Sequence, residues 1–199
     1  MISIIIPIYN QAQKLRPCLD SLLKQTYQDY EVIIINDGST DDLVAVLLNY
    51  QDKFAKWQVI RQPNQGANAA RNRGAAVARG EFLLFCDADI ILQPPMLELM
   101  VAALAKNPSA SFVYSSFKYG RKLFKLWPYD PIKLKQQPYI HTTSLIRREA
   151  GPSFDNNLKR LQDWDLWLTM LEQGKSGLWL DQVLFIVQTG GGISNWLPK

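Results

Sequence analysis

The sequence predicts an α/β fold built on a mostly parallel sheet, and two observations lead to this prediction. In residues 1–107, short apolar segments rich in β-branched residues alternate with segments whose apolar residues recur at helical spacing. The apolar segments are almost continuous, which is typical of strands covered on both faces. Such alternation favours parallel strands joined by helical crossovers, and ligands of such sheets bind beyond the carboxyl ends of the strands.

Each element of residues 1–107 follows from its own residues. The apolar runs predict strands at residues 2–9, 30–36, 57–62 and 81–86. Helices are predicted at residues 11–25, from the turn at 38–42 to about residue 50, at 66–79 and at 94–107. The turn "GSTDD" before the second helix has residues that are typical of turns and helix caps.

The pattern is less regular after residue 108. Strands are predicted at residues 110–119 and 139–148, and the last helix at 161–173. We expect these strands to be antiparallel additions to the sheet. Residues 177–188 predict either a strand pair or one bent strand. Gly190 to Gly192 suggest a loop over the ligand-binding edge.

The composition limits the class of protein. With 199 residues, 47% of them hydrophobic, the chain is long enough for one domain with a substantial core. No apolar run approaches the ~20 residues that cross a bilayer, and no basic segment precedes the apolar N-terminus as in a signal peptide. The net charge of +4 is too small to indicate a nucleic-acid partner. Cys18 and Cys86 lack metal-site spacing, so we expect a reducing, cytoplasmic location.

Two carboxylates end the fourth predicted strand. In "FLLFCDADII" (82–91), Asp87 and Asp89 follow the apolar run one residue apart. Like charges about 5–6 Å apart repel by roughly 3 kcal/mol at an effective dielectric of 20, so either a positive partner lies between them or one carboxyl holds a proton. Carboxylates at this edge suit Mg²⁺ or Mn²⁺ carrying a diphosphate. The alternative is an Asp turn that caps the next helix, but that helix is predicted to start only near residue 94.

Polar residues also follow the first two strands. In "PIYN", which begins at Pro7, Tyr9 can stack on a nucleotide base or serve as a packing residue. Asp37 can accept the imide N–H of uracil or thymine, and the alternative is a helix cap.

The loop after the third strand has two candidate residues. Gly66 permits a close approach of the backbone to a ligand, and Arg71 lies near a helix N-terminus, which favours anions. The alternative for Arg71 is an ordinary solvated arginine on the helix surface.

Five segments in order resemble the family 2 glycosyltransferases, inverting sugar transferases with the GT-A fold. They are "SIIIPIYN", "EVIIINDGSTDD", "NQGANAARNRG", "GEFLLFCDADI" and "LQDWDLWL". The resemblance covers residues 2–173 and depends on the motifs together, since each one alone is weak. It implies one GT-A-like domain over residues 1–199, in which residues 1–107 bind the nucleotide sugar and residues 108–199 bind the acceptor.

The resemblance implies a role for each matching residue. The nucleotide-binding residues would be Pro7, Tyr9, Asp37, Gly66, Arg71 and Asp87. Asp89 would contact the metal directly, and Asp87 would contact the ribose or the metal shell. Asp163 matches the catalytic base. The alternative for Asp163 is an acid at the helix N-terminus that pairs with the helix dipole, a role that Asp165 could fill equally well.

The implied activity is inverting transfer of a sugar to an acceptor hydroxyl. The donor would be a nucleotide-diphosphate sugar, UDP- or TDP-linked, and the acceptor a sugar or a lipid-linked molecule in polysaccharide or cell-surface glycan synthesis. Asp163 would take the proton of the acceptor hydroxyl, while the metal neutralises the leaving diphosphate. The alternatives are a sugar nucleotidyltransferase, whose Gly-rich basic loop after the first strand is missing, and a non-catalytic sugar-nucleotide-binding protein.

Residues after 108 supply candidates for the acceptor side. His141 is predicted on a strand that faces the acceptor in this family, and the alternative is a structural histidine. Trp164 can form an apolar wall for a sugar ring, whereas Trp167 is expected in the core. The basic, aromatic segment 118–135 suggests peripheral contact with the inner face of a membrane, and the alternative is a solvated hairpin.

Overall fold

The structure is a computed structural model that describes residues 1–190. The strands are β1 (Ile2–Ile8), β2 (Tyr30–Asn36), β3 (Trp57–Arg61), β4 (Phe82–Phe85), β5 (Ile90–Leu92), β6 (Phe112–Tyr119), β7 (Lys122–Phe124), β8 (Leu145–Arg147) and β9 (Gly177–Val187). The helices are α1 (Ala12–Leu23), α2 (Leu43–Leu48), α3 (Ala67–Val77), α4 (Met96–Lys106), α5 (Pro131–Gln136) and α6 (Gln162–Glu172). We refer to residues 1–107 as the first half and to residues 108–190 as the second half.

The described strands form a single sheet. Their order is β3-β2-β1-β4-β8-β6-β9-β5, with β7 paired to β6. Strands β3, β2, β1 and β4 are parallel, and β8 joins β4 in the antiparallel direction. Beyond β8, β6 runs parallel to β9, and β5 is antiparallel to β9. The predicted parallel sheet with additions from the second half is therefore confirmed.

The first half packs as its apolar sequence predicts. Every residue of β1, β2 and β4 is buried. Helix α3 lies directly on β1 and β2. Gly74 permits this contact, because a Cβ at that position would lie 2.3 Å from a side-chain carbon of Ile5. A residue that lowers helix propensity therefore allows the helix to approach the sheet closely.

The second half has an aromatic core. Trp167 is fully buried, as expected, and its ring lies 4.6 Å from that of Phe112. Its indole N–H donates to the carbonyl of Ile140 at 2.8 Å. Packing of such large aromatic rings stabilises this half, where strands are fewer and loops longer.

Some elements differ from the sequence prediction. The sequence predicts a strand over 139–148, but only Leu145–Arg147 is a strand. Strand β5 and helix α5 are not predicted, because each is too short to show a period. Helix α2 ends at Leu48 rather than near residue 50. Residues 177–187 form one strand, β9, and its pairing with β6 shifts in register near Ser116 of β6. The single bent strand is therefore the correct alternative.

Residues 39–42 do not cap α2 as predicted. Asp42, at the start of α2, makes no side-chain capping bond. Instead, the Ser39 hydroxyl accepts the N–H of Asn10 at 3.1 Å, and the Asp41 carboxylate accepts the N–H of Ala12 at 2.8 Å. The polar turn after β2 therefore fastens the loop after β1 and the start of α1.

Among residues 1–190, the structure contains no helix with the length and apolar character needed to span a bilayer. The loop expected at Gly190 to Gly192 lies, beyond Gly190, outside the described residues.

Candidate active site

The carboxyl ends of adjacent parallel strands meet at one edge of the sheet. Pairing of β1 with both β2 and β4 aligns these ends. The residues that follow the three strands, including Tyr9, Asp37 and Asp87, therefore lie at the same edge. This edge is where open α/β sheets bind ligands.

The loop after β1 exposes an aromatic ring. Tyr9 is 47% exposed, whereas Pro7 is buried within β1. The next residue, Asn10, adopts a left-handed conformation with φ of 51°, and its side-chain oxygen accepts the N–H of Thr40 at 2.8 Å. The ring of Tyr9 is thus accessible to a flat ligand on a loop that is bonded to the neighbouring turn.

Asp37 organises the loop after β3. Its carboxylate is 3% exposed and accepts the side-chain N–H of Gln62 at 2.7 Å. It also accepts the backbone N–H groups of Gln65 and Gly66, at 2.9 and 2.8 Å. Gly66 has φ of 92°, a conformation that favours glycine. Asp37 is therefore not a helix cap, and Oδ2 retains capacity to accept another N–H.

Arg71 is the positive partner of Asp87. Its Nη2 lies 2.7 Å from Oδ1 of Asp87, and its guanidinium stacks 5.2 Å from the ring centre of Phe154. Burial favours the neutral carboxyl, but the charge and the hydrogen bond of Arg71 outweigh it and hold the pKa of Asp87 below its ordinary value. Arg71 is thus buried and paired with a carboxylate, not solvated on the helix surface.

Asp89 has a different environment. Burial and the charge of Asp87 raise the pKa of Asp89 to about 6, although Lys14 opposes the shift. The ammonium of Lys14 lies 3.8 Å from Oδ2 of Asp89. Gln188, just after β9, donates its backbone N–H to the carbonyl of Asp89 at 2.8 Å. The two neighbouring carboxylates therefore differ in two ways. Asp87 pairs with Arg71 and has a lowered pKa, whereas Asp89 pairs with Lys14 and has a raised pKa.

Lys14 is a site residue that sequence reasoning missed. The prediction assigned the positive partner of the two carboxylates to a metal, but the chain itself supplies Arg71 and Lys14. The available signal was its position directly before Leu15, which belongs to the buried face of α1. Helix α1 begins just after the carboxyl end of β1, so a basic residue in its first turn, next to a buried leucine, lies near the ligand-binding edge of the sheet.

The carboxylates fit a hard divalent ion that also binds a substrate phosphate. Within residues 1–190, no three His, Cys, Asp or Glu side chains form a metal-binding group. Mg²⁺ and Mn²⁺, however, commonly take one or two carboxylates and complete their shell with phosphate oxygens and water. Arg71 occupies Oδ1 of Asp87, which leaves Oδ2 and the Asp89 carboxylate as candidate ligands.

The second half brings Asp163 and His141 to this region. His141 lies in the loop before β8, not on a strand as predicted. Its Nδ1 accepts the N–H of Thr143 at 3.0 Å, so the neutral ring carries its proton on Nε2. Burial lowers the pKa of His141, and the charges of Asp87 and Asp163 oppose this shift, so both carboxylates interact electrostatically with the ring.

The structure separates Asp163 from Asp165. Both lie in the first turn of α6. Burial, followed by the charges of Asp155 and Glu172, raises the pKa of Asp165, so the electrostatic environment of this residue is set by other acids of the second half. Asp163, in contrast, interacts electrostatically with His141. Leu161, immediately before α6, has φ of 58°, a strained conformation that sets the start of this helix.

Helix α3 of the first half is hydrogen-bonded to the loop that precedes α6. The amide of Asn72 donates to the carbonyl of Phe154 at 2.7 Å, and its oxygen accepts the Phe154 N–H at 2.9 Å. The amide of Asn68 donates to the carbonyl of Asp155 at 2.6 Å and to that of Leu158 at 3.2 Å. The helix that carries Arg71 thus also positions the loop leading to Asp163. Neither asparagine is identified by sequence reasoning.

Other acceptor-side candidates have structural partners. The indole N–H of Trp164 donates to the carbonyl of Leu134 in α5 at 2.6 Å. In segment 118–135, the aromatic rings pack against the core, with Phe124 stacked 4.9 Å from Phe117. The basic residues of the segment are exposed, and they are Lys118, Arg121, Lys122, Lys125, Lys133 and Lys135.

The sequence is similar to those of known glycosyltransferases. Residues 3–164 match glycosyl transferase family 2. An uncharacterized glycosyltransferase of Bacillus subtilis, EpsJ, is 28% identical over 94% of this chain and 60% of its own length. The chondroitin synthase of Escherichia coli is 29% identical over 87% of this chain and 27% of its own length. The chain thus spans 60% or less of these relatives.

Solved structures with similar folds support the GT-A prediction. Residues 1–349 of TarS from S. aureus have a TM-score of 0.80 and 23% identity, covering 94% of this chain and 60% of that one. The mannosyltransferase PcManGT from Pyrobaculum calidifontis has a TM-score of 0.78 and 20% identity, covering 98% of this chain and 58% of that one. The latter was solved with GDP-Man and Mn²⁺. The predicted GT-A fold is therefore confirmed.

Proposed function

Because the chain belongs to glycosyl transferase family 2, we propose that it is an inverting glycosyltransferase that moves a sugar from a nucleotide-diphosphate sugar to an acceptor hydroxyl. One observation carries the proposal. An exposed ring, Tyr9, and the acidic residues Asp37, Asp87 and Asp89 follow adjacent parallel strands, and His141 links them electrostatically to Asp163. A nucleotide sugar has a nucleotide base, a diphosphate and a reacting sugar, and binding all three requires an aromatic ring and several carboxylates at one edge of the sheet.

On the donor side, Tyr9 stacks on the base and Asp37 accepts its imide N–H through Oδ2. A free imide N–H is found in uracil and thymine, so UDP- or TDP-linked donors are favoured. Pro7 and Gly66 shape the surrounding backbone. The TarS structures include complexes with UDP and with UDP-GlcNAc, which supports a uridine donor for a fold of this kind.

Asp89, with Asp87 as the second candidate ligand, is proposed to hold Mg²⁺ or Mn²⁺. The ion, when bound, supplies positive charge that stabilises the departing diphosphate. Within the protein, Arg71 keeps Asp87 ionised. The Mn²⁺ in the PcManGT structure supports a divalent ion in this fold.

On the acceptor side, Asp163 is proposed as the general base. It takes the proton of the acceptor hydroxyl, whose oxygen attacks the anomeric carbon from the face opposite the diphosphate. A single displacement inverts the anomeric configuration and needs no protein nucleophile. Nε2–H of His141 is a donor available to the acceptor or the donor sugar, and the face of Trp164 is a candidate wall for a sugar ring.

The pathway is proposed to be polysaccharide or cell-surface glycan synthesis. Relatives named chondroitin synthase and hyaluronan synthase support an acceptor that is a growing glycan. A lipid-linked acceptor, and contact of the exposed basic residues of 118–135 with an anionic membrane, belong to the same proposal.

The test measures release of nucleoside diphosphate from a panel of UDP-, TDP- and GDP-sugars with glycan acceptors and Mn²⁺. The variant is Asp163→Asn, and the matched control is Asp165→Asn in the same helical turn. Loss of a general base typically lowers turnover by about 10²–10⁴-fold, so we expect this loss in Asp163→Asn only. Calorimetric affinity for UDP should be similar in all three proteins.

Two results would contradict the proposal. Full turnover in Asp163→Asn would remove the base from the mechanism. Binding of nucleotide without turnover for any donor and acceptor would favour a non-catalytic sugar-nucleotide-binding protein. Donor binding that is indifferent to a chelator would remove the metal from the proposal but leave the transferase intact.

A further inference from the structure

Lys14 is a buried cation with unused hydrogen-bond donors. It lies in the first turn of α1, and its side chain is 18% exposed. Its Nζ is buried and has no hydrogen-bond partner among residues 1–190. The nearest anion is Oδ2 of Asp89 at 3.8 Å, which is an ion pair but too long for a hydrogen bond.

Such an arrangement is costly unless the ammonium has a function. A buried ammonium that lacks hydrogen bonds loses its hydration without full compensation. An ordinary surface lysine avoids this cost by extending its head into water. The three N–H groups of Lys14 are therefore unused, and a rotation of the flexible, partly exposed side chain would present them to an anionic acceptor at the sheet edge.

The backbone around Lys14 is fixed to the same region as Asp89. The side-chain amide of Gln188 donates to the carbonyl of Lys14 at 3.1 Å. The backbone N–H of Gln188 donates to the carbonyl of Asp89 at 2.8 Å. One residue after β9 thus holds the start of α1 against the loop that contains both carboxylates.

Arg71 already pairs with Asp87 through Nη2 at 2.7 Å and bonds Asn68 through Nη1, which leaves only its Nε–H without a partner among residues 1–190, whereas Lys14 has all three N–H groups unused. We propose that Lys14 is a donor-binding residue whose ammonium binds a phosphate oxygen of the nucleotide diphosphate beside Asp89. This inference rests on the proposed function and adds a ligand contact to it. The ammonium also repels a divalent ion held by Asp89, so Lys14 has opposite effects on the nucleotide and on the metal alone.

The experiment compares the wild type with Lys14→Met, Lys14→Arg and the control Lys24→Met. Lys24 lies at the exposed end of α1, so its replacement removes the same charge away from the site. Calorimetry measures the nucleoside diphosphate that the wild type binds best among UDP, TDP and GDP, and also the matching nucleoside. Titration followed by electron paramagnetic resonance measures Mn²⁺ alone, and thermal melting confirms that each variant is folded.

We expect Lys14→Met to lose at least tenfold in affinity for the diphosphate, with affinity for the nucleoside unchanged. Its affinity for Mn²⁺ alone should increase at least twofold. Lys14→Arg should retain diphosphate affinity within about threefold, since a guanidinium also binds phosphate. Lys24→Met should match the wild type in every measurement.

Three outcomes overturn the inference. Diphosphate affinity of Lys14→Met within twofold of the wild type excludes the phosphate contact. Equal losses for the diphosphate and the nucleoside indicate a structural role instead. A wild type that binds neither ligand overturns the proposed function itself, and the inference with it.

Discussion

The two halves of the candidate site are built differently. In the first half, each acidic group has partners from the same half: Asp37 accepts three N–H groups, Asp87 pairs with Arg71, and Asp89 faces Lys14. In the second half, the side chain of Asp163 makes no hydrogen bond within the described part of the chain. The position of Asp163 depends on the start of α6 and on the preceding loop, which is hydrogen-bonded to α3.

The difference follows from topology. Parallel strands with helical crossovers bring their carboxyl ends together, so groups from β1, β2 and β4 bond to one another directly. Residue Asp163 reaches the edge only after the long connection from β8 to α6, which has no regular strand or helix between Ala150 and Gln162. Donor binding and base positioning should therefore respond to different substitutions.

The largest effect is expected for Arg71→Met, which tests whether internal pairing holds the first half. Removal of one partner from a buried ion pair leaves the other charge without compensation. We expect a loss of about 3 kcal/mol in unfolding free energy, at the low end for such pairs because Asp87 is 31% exposed. Chemical denaturation at neutral pH measures the loss.

The matched control is Arg73→Met, in the same helix but exposed. Its effect should stay within about 0.5 kcal/mol. Because the pKa of Asp87 is lowered, its contribution is present above the ordinary carboxyl pKa and is lost as the pH falls through the folded-state value. Equal effects of the two substitutions would mean that the Arg71–Asp87 pair does not stabilise the half.

The next effect has the opposite sign and comes from Asp89→Asn. The raised pKa of Asp89, about 6, means that its charge destabilises the metal-free fold at neutral pH. The full shift corresponds to roughly 3 kcal/mol. Asparagine is also polar and buried, so we expect a gain of about 1–2 kcal/mol in unfolding free energy with chelator at pH 7.5.

The gain should depend on pH in a defined direction. It should be full above about pH 6 and should vanish as the pH approaches 4, where the wild-type carboxyl is protonated in both folded and unfolded chains. Asp87→Asn serves as the comparison and should destabilise instead, because its pKa is lowered. The same sign for both substitutions would disprove the distinction between the two carboxylates.

Much of the first half can be predicted from sequence because its signals are local. The apolar runs locate β1 to β4, and the polar residues after them locate Tyr9, Asp37, Asp87 and Asp89 at one edge. The motif at 161–168 directs attention to Asp163, but only the charges around α6 separate it from Asp165.

The partners of these residues cannot be predicted in the same way. Lys14, Asn72 and Gln188 act through contacts between residues far apart in sequence, and no spacing rule brings such residues together. The turn at 39–42 shows the same limit. Its residues are typical of a cap for the following helix. In the folded chain, however, Ser39 accepts a hydrogen bond from the loop after β1, and Asp41 accepts one from the start of α1.

The link between the halves is tested by Asn72→Ala. The side chain makes two hydrogen bonds to the backbone of Phe154, and their loss should cost about 1–2 kcal/mol in unfolding free energy. Turnover should fall because the loop before Asp163 loses its anchor, while affinity for UDP should remain. Asn49→Ala, which removes a bond to Ala45 within the exposed end of α2, is the control and should leave turnover unchanged. A parallel fall in UDP affinity would mean that the halves are not separable.

The smallest effect is expected for Trp164→Phe, which asks whether α6 is held by its indole bond to α5. Phenylalanine keeps most of the ring but loses the N–H that donates to Leu134, so unfolding free energy should fall by about 1 kcal/mol. Trp179→Phe is the matched control, because the Nε1 of Trp179 is buried without a hydrogen-bond partner in residues 1–190. Its replacement should be neutral or stabilising, since an unpaired N–H is removed. If Trp164→Phe leaves stability unchanged but raises the KM for the acceptor, the ring contacts a sugar and α6 is held by its other contacts.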